Sequence, residues 1–134
     1  MSASSNIQMV QTLYEAFGKG DVDTILSHLT DDVDWAADGP DDAAPWYGTR
    51  RGKEQVTKFF TDFGSAVELS EFAPLSFAGN DTDVLVLLHI TGTVRATGKP
   101  LSMHLHHYFR FRGDAVEYYR GSEDSAQTAA ALRP

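Results

Sequence analysis

Leu101-Ser102-Met103-His104-Leu105-His106-His107-Tyr108-Phe109-Arg110-Phe111-Arg112 alternates with period two. Leu101, Met103, Leu105, His107, Phe109 and Phe111 fall on one side, and Ser102, His104, His106, Tyr108, Arg110 and Arg112 on the other. A strand with one apolar and one polar face covers a core from one side, as strands of antiparallel sheets do. Upstream, Val84, Val86, Leu88 and Ile90 alternate with Leu85, Leu87 and His89. Downstream, a last strand runs from about Ala115 to Ser122. Gly79-Asn80-Asp81, Thr97-Gly98-Lys99-Pro100 and Gly113-Asp114 supply turns between these strands.

The first half has a different period. Val10, Leu13, Tyr14 and Phe17 recur at helical spacing, as do Val22, Ile25, Leu26, Leu29 and then Val56, Phe59, Phe60, Phe63. Each set makes one apolar helix face. Gly18-Lys19-Gly20 stops the first helix, Asp21 caps the second, and Gln55 is placed to cap the third. A short strand, Asp32 to Ala36, follows the second helix, and residues 38 to 50, with Pro40, Pro45 and Gly48, read as an irregular loop. Helices grouped ahead of a strand meander give the α+β class. The expected form is a cone-shaped barrel, with three N-terminal helices packed on a strongly curved, mostly antiparallel sheet. The space beneath such a sheet is a natural small-molecule site.

The chain has 134 residues, one domain's worth, so residues 1–134 are read as a single domain. It has no cysteine, which excludes disulfides, thiolate metal sites and thiol catalysis. The net charge is −8, and eight aspartates lie between residues 21 and 42. An acidic surface repels phosphate backbones, so nucleic acid is not an expected partner. No apolar run approaches membrane-span length and the opening residues lack a signal-peptide pattern, so neither membrane insertion nor export is expected, and the default location is cytoplasmic. Nucleotide-binding and hydrolase motifs such as GxGxxG and GxSxG are missing.

Four stretches resemble the nuclear-transport-factor-2-like superfamily, and within it the SnoaL-like, ketosteroid-isomerase-like branch. They are Leu13-Tyr14-Glu15-Ala16-Phe17-Gly18-Lys19-Gly20-Asp21-Val22-Asp23, Asp31-Asp32-Val33-Asp34-Trp35, Tyr47-Gly48-Thr49-Arg50-Arg51-Gly52-Lys53-Glu54-Gln55-Val56 and His107-Tyr108-Phe109-Arg110-Phe111-Arg112-Gly113-Asp114. The resemblance spans about residues 7 to 125. It implies a cone-shaped fold, a homodimer built through the sheet, and a pocket where one or two ionisable groups meet a small hydrophobic molecule. It names no single reaction, since isomerases, polyketide cyclases, dehydratases and domains without known chemistry share the fold. The isomerase base register lands on Ala37, with Asp38 one residue later; the isomerase tyrosine falls on Leu13, with Tyr14 beside it; the isomerase acid falls on His107. Asp124 is nearest to the cyclase aspartate.

His107 is the leading candidate, because it interrupts an apolar stripe and points where that stripe points. A desolvated imidazole is neutral at pH 7 and available for acid–base work. Asp38 or Asp124 is its expected carboxylate partner. Tyr14, Trp35, Trp46, Met103, Tyr118 and Arg120 are the expected ligand-binding residues. Tyr118 and Arg120 depend on their face of the last strand looking into the cone. His104 and His106 lie two apart on a polar face, but with no further motif they read as that face rather than as a metal pair. The functional expectation is proton-transfer chemistry on a hydrophobic carbonyl compound with no cofactor. The alternatives are a non-catalytic domain that binds an apolar ligand, or an interaction scaffold whose cavity is filled by its own side chains.

Overall fold

The computed structural model describes residues 2–134. In chain order the elements are α1 (Ala3–Gly18), α2 (Val22–Ser27), β1 (Leu29–Ala37), β2 (Gly48–Arg51), α3 (Gly52–Ala66), β3 (Val67–Gly79), β4 (Asp83–Val94), β5 (Pro100–Arg112), β6 (Ala115–Ser122) and α4 (Ser125–Leu132). The architecture is α+β. One six-stranded sheet has the order β2-β1-β6-β5-β4-β3, antiparallel throughout except where β1 runs parallel to β6. The cone is open: β2 and β3 are the two edges of a curved sheet that does not close into a barrel.

Helix signals in the sequence act as caps. Asp21 accepts from the Thr24 N–H at 3.1 Å, and Gln55 Oε1 accepts from the Arg51 N–H at 2.8 Å. Gly113, at φ 63°, makes the tight β5–β6 turn. The apolar stripes of β4 and β5 face the helices in register, with Val86 opposite His107, Leu88 opposite Leu105 and Ile90 opposite Met103. Val10, Leu13, Ile25, Val56 and Phe59 close the core from the helical side. No helix among the described residues is long and apolar enough to cross a membrane.

Three elements differ from the sequence expectation. β2 takes up the end of the stretch read as loop and runs one residue past it, and α4 adds a fourth, C-terminal helix. β3, thirteen residues long, has no clean alternation because its register shifts twice, between Leu69 and Glu71 and between Pro74 and Ser76. Each such irregularity inserts a residue, bends the strand and flips the side-chain order. Pro74 is tolerated because β3 is an edge.

A further shift governs the site. β5 and β6 pair Arg110 with Tyr118 and then Phe111 with Val116, which leaves Glu117 as the extra residue. Val116 is therefore buried before the bulge, and Tyr119 and Gly121 after it. The face carrying Tyr118 and Arg120 looks outward, contrary to its expected place inside the cone.

Candidate functional site

Beneath the sheet lies a cavity of about 90 Å³. That is room for more than a single water. α1 contributes Leu13, Tyr14 and Phe17 to its wall, and α3 contributes Phe59, Phe60 and Phe63. Trp35, Trp46, Leu105, His107, Phe109, Tyr119 and Glu123 complete most of the rest. The wall is overwhelmingly aromatic and aliphatic, so any polar group on it acts in a poorly screened setting.

His107 projects from the inner stripe of β5 and is 8 % exposed. Burial, with a smaller contribution from the charge of neighbouring His106, holds its imidazole down to about 3. The ring is neutral at ordinary pH. Its Nδ1 lies 2.8 Å from the Tyr14 hydroxyl. Burial pushes the Tyr14 phenol far above its usual range, so it keeps its proton. Among the described residues that hydroxyl has no other acceptor, so the arrangement that uses its proton has Tyr14 donating to Nδ1. The ring hydrogen is then on Nε2. His107 thus presents a donor to the rest of the cavity.

Glu123 was not singled out by its sequence, yet it is the carboxylate on the cavity wall. Two donors hold it: the Tyr47 hydroxyl at 2.9 Å and the hydroxyl of Thr128, which is fully buried in α4. Tyr119 was passed over as well. It stacks on Trp35 with centroids 3.9 Å apart and meets the His107 ring edge-on at 5.1 Å. Continuing the alternation from Tyr119 through Gly121 would have led to Glu123, but the bulge at Glu117 hides which face to follow.

Of the expected ligand-binding residues, Tyr14, Trp35 and Trp46 line the cavity. Met103 is buried in the core outside that lining. Tyr118 and Arg120 lie on the outer face, where Arg120 covers the Tyr118 ring at 4.1 Å and pairs with Asp34 at 3.0 Å. Both aspartates also lie outside the lining. Asp38 is 59 % exposed at its side chain, with Arg120 Nε 3.9 Å away. Asp124 caps α4, accepting from the Gln127 N–H at 3.1 Å. On the outer face His89 Nδ1 approaches Glu71 at 3.0 Å, and no group of three metal-ligating side chains comes together among the described residues.

An open α+β sheet wrapped over helices, with an aromatic cavity and a buried tyrosine–histidine pair beneath it, defines a class of cone folds. The family follows from comparison. The model of the SnoaL-like domain matches residues 10–119, and the chain belongs to that family, within the NTF2-like superfamily. Among solved structures, an NTF2-like protein from Burkholderia xenovorans LB400 is 27% identical, with a TM-score of 0.89 over 99% of this chain and 99% of that one. An NTF2-like protein of unknown function from Burkholderia pseudomallei K96243 is 26% identical, with a TM-score of 0.87 over 97% and 98%. TerC, co-crystallized with polyporic acid, shares the fold at 20% identity and a TM-score of 0.85 over 95% and 97%. No curated protein matches the chain.

Proposed function

We propose that the cavity takes a small, flat, mostly apolar carbonyl compound and moves a proton beside its carbonyl without a cofactor, as an isomerase, cyclase or dehydratase. The observation that carries this reading is the 2.8 Å bond between Tyr14 and His107 Nδ1 in a mostly apolar wall that also holds the Glu123 carboxylate. Because Tyr14 occupies Nδ1, the His107 Nε2–H is left to meet the carbonyl oxygen. A neutral imidazole donor in a dry cavity stabilises the charge that grows on that oxygen. Glu123 is the base. It takes the proton from the neighbouring carbon, the C–H electron pair moves toward the carbonyl, and the enolate rests on His107. Returning the proton to another carbon isomerises the substrate; attack of the enolate on a second carbonyl closes a ring.

The test follows exchange of the protons beside the carbonyl of 1-indanone in D₂O by NMR. The wild-type protein accelerates exchange over buffer, and Glu123→Gln and His107→Leu return it to the buffer rate. Wild-type exchange at the buffer rate would overturn the reading. The nearly unbroken apolar wall favours the second reading, in which the cavity holds an apolar ligand without chemistry. The same proposal pairs two copies through the outer sheet face, where Leu85 is 54 % exposed and the Tyr118 ring lies between Arg110 and Arg120. Light scattering that gives a monomer mass would remove that part.

A further inference from the structure

We propose that Trp35 anchors the ligand, its indole Nε1–H donating to a second acceptor oxygen beyond the one His107 takes. This rests on the cavity being a ligand site and names the ligand class more narrowly, as a flat molecule with two hydrogen-bond acceptors.

Trp35 is 4 % exposed and lines the cavity. Its Nε1 is buried, and no protein group accepts from it. Indole nitrogen is a donor only, and buried donors are nearly always paired. The ring cannot swing this donor toward solvent. It is stacked on Tyr119 at 3.9 Å and meets Phe59 and Phe60 at 5.8 and 5.7 Å. A phenylalanine in this setting would fill an apolar wall without the cost of an unpaired N–H. The indole is the better choice when its N–H meets something the protein does not supply. Trp35, Tyr119 and His107 form a row of rings on the cavity wall, the last two 5.1 Å apart, so the two donor-bearing rings belong to one wall.

The experiment compares phthalimide, which has two carbonyls, with isoindolin-1-one, which has one. With wild-type protein the second carbonyl tightens binding by roughly two- to tenfold, the worth of one neutral hydrogen bond. With Trp35→Phe that gain disappears, so the two probes bind the variant with equal affinity. Taking the gain as a difference between two ligands cancels any general loosening of the site. A second measurement needs no variant at position 35. The chain has two tryptophans, and Trp46→Phe assigns their indole N–H signals. The Trp35 signal moves downfield with phthalimide and much less with isoindolin-1-one. An equal gain in Trp35→Phe, an unmoved Trp35 signal, or no binding of either probe overturns the proposal. Its failure is separable from failure of the catalytic reading, which is scored by exchange into 1-indanone. Lost exchange with an intact Trp35-dependent gain leaves a binding protein with this anchor.

Discussion

The Tyr14 hydroxyl reaches His107 Nδ1 at 2.8 Å across 93 residues of sequence, tying α1 to the middle of β5. Neither group has another way to satisfy this end of its polarity. The phenol is held protonated and the imidazole neutral by the same burial, so the bond joins two uncharged partners. With Tyr14 as the donor it sets the tautomer of the histidine on the cavity wall, and the proposed chemistry takes its direction from that bond.

Tyr14→Phe leaves Nδ1 buried with no donor and lowers stability by roughly 1–3 kcal/mol, the penalty for an orphaned polar atom. Tyr14→Phe combined with His107→Leu removes both halves and costs less than the sum of the single changes, by about 1 kcal/mol or more. Urea denaturation of the four proteins measures this coupling. Strict additivity would show that the bond contributes nothing.

The same burial sets a pH dependence. The folded pKa of His107, about 3, lies below the ordinary 6.5. Between those values the unfolded chain binds a proton that the native state refuses. Stability from this group is therefore complete above the ordinary value and falls as pH drops toward the folded one. From pH 7 to about pH 4.5 the loss is roughly 2–3 kcal/mol. Tyr14, Tyr119 and His106 surround the ring, and the two phenols do not titrate in this window. His107→Leu flattens the curve there. Denaturation midpoints at the two pH values, for both proteins, check it.

Much of this was readable in the sequence where strands are regular. β5 and β4 keep an unbroken alternation and an unshifted register, so His107 is placed on the inner face by counting alone. The helical stripes set Tyr14 on the core side of α1 in the same way. Counting fails at bulges. One extra residue at Glu117 turns Tyr118 and Arg120 outward and Tyr119 inward, and nothing in the local composition marks it. β3 is obscured twice over by its two shifts. Glu123 depends on Tyr47, which comes from a loop far away in sequence, and on Thr128, which is near in sequence but lies in a fourth helix that the periodicity did not reveal. Its neighbour Asp124 has a more familiar local role as a cap, and a linear reading cannot separate the two.

Gly121 marks how tightly the wall is fitted. A Cβ there would lie 2.7 Å from the Tyr119 hydroxyl and 3.4 Å from His107 Cδ2. Tyr119 cannot retreat freely, because its ring is stacked on Trp35. Gly121→Ala destabilises by roughly 1–3 kcal/mol, as overpacking does. It also weakens 1-indanone binding by displacing the Tyr119 ring. Urea denaturation and titration with the ketone give the two numbers, and wild-type values for both would mean the wall is softer than its packing implies.

Three carboxylates near the end of β6 and β1 separate structural from chemical roles. Asp124→Ala removes the α4 cap and costs about 0.5–2 kcal/mol, with exchange into 1-indanone unchanged. Asp38→Asn alters an exposed side chain outside the cavity lining and changes neither quantity measurably. Glu123→Gln keeps oxygen acceptance toward Tyr47 and Thr128, so it costs only about 1–2 kcal/mol, the difference between charged and neutral acceptors. Its exchange rate falls by roughly 100-fold or more, the usual contribution of a positioned general base. Thermal unfolding and deuterium exchange on the same three proteins decide the matter. Neither aspartate reaches the wall from which the tyrosine–histidine pair acts, so a loss of exchange in Asp38→Asn or Asp124→Ala that matches Glu123→Gln would move the base off Glu123.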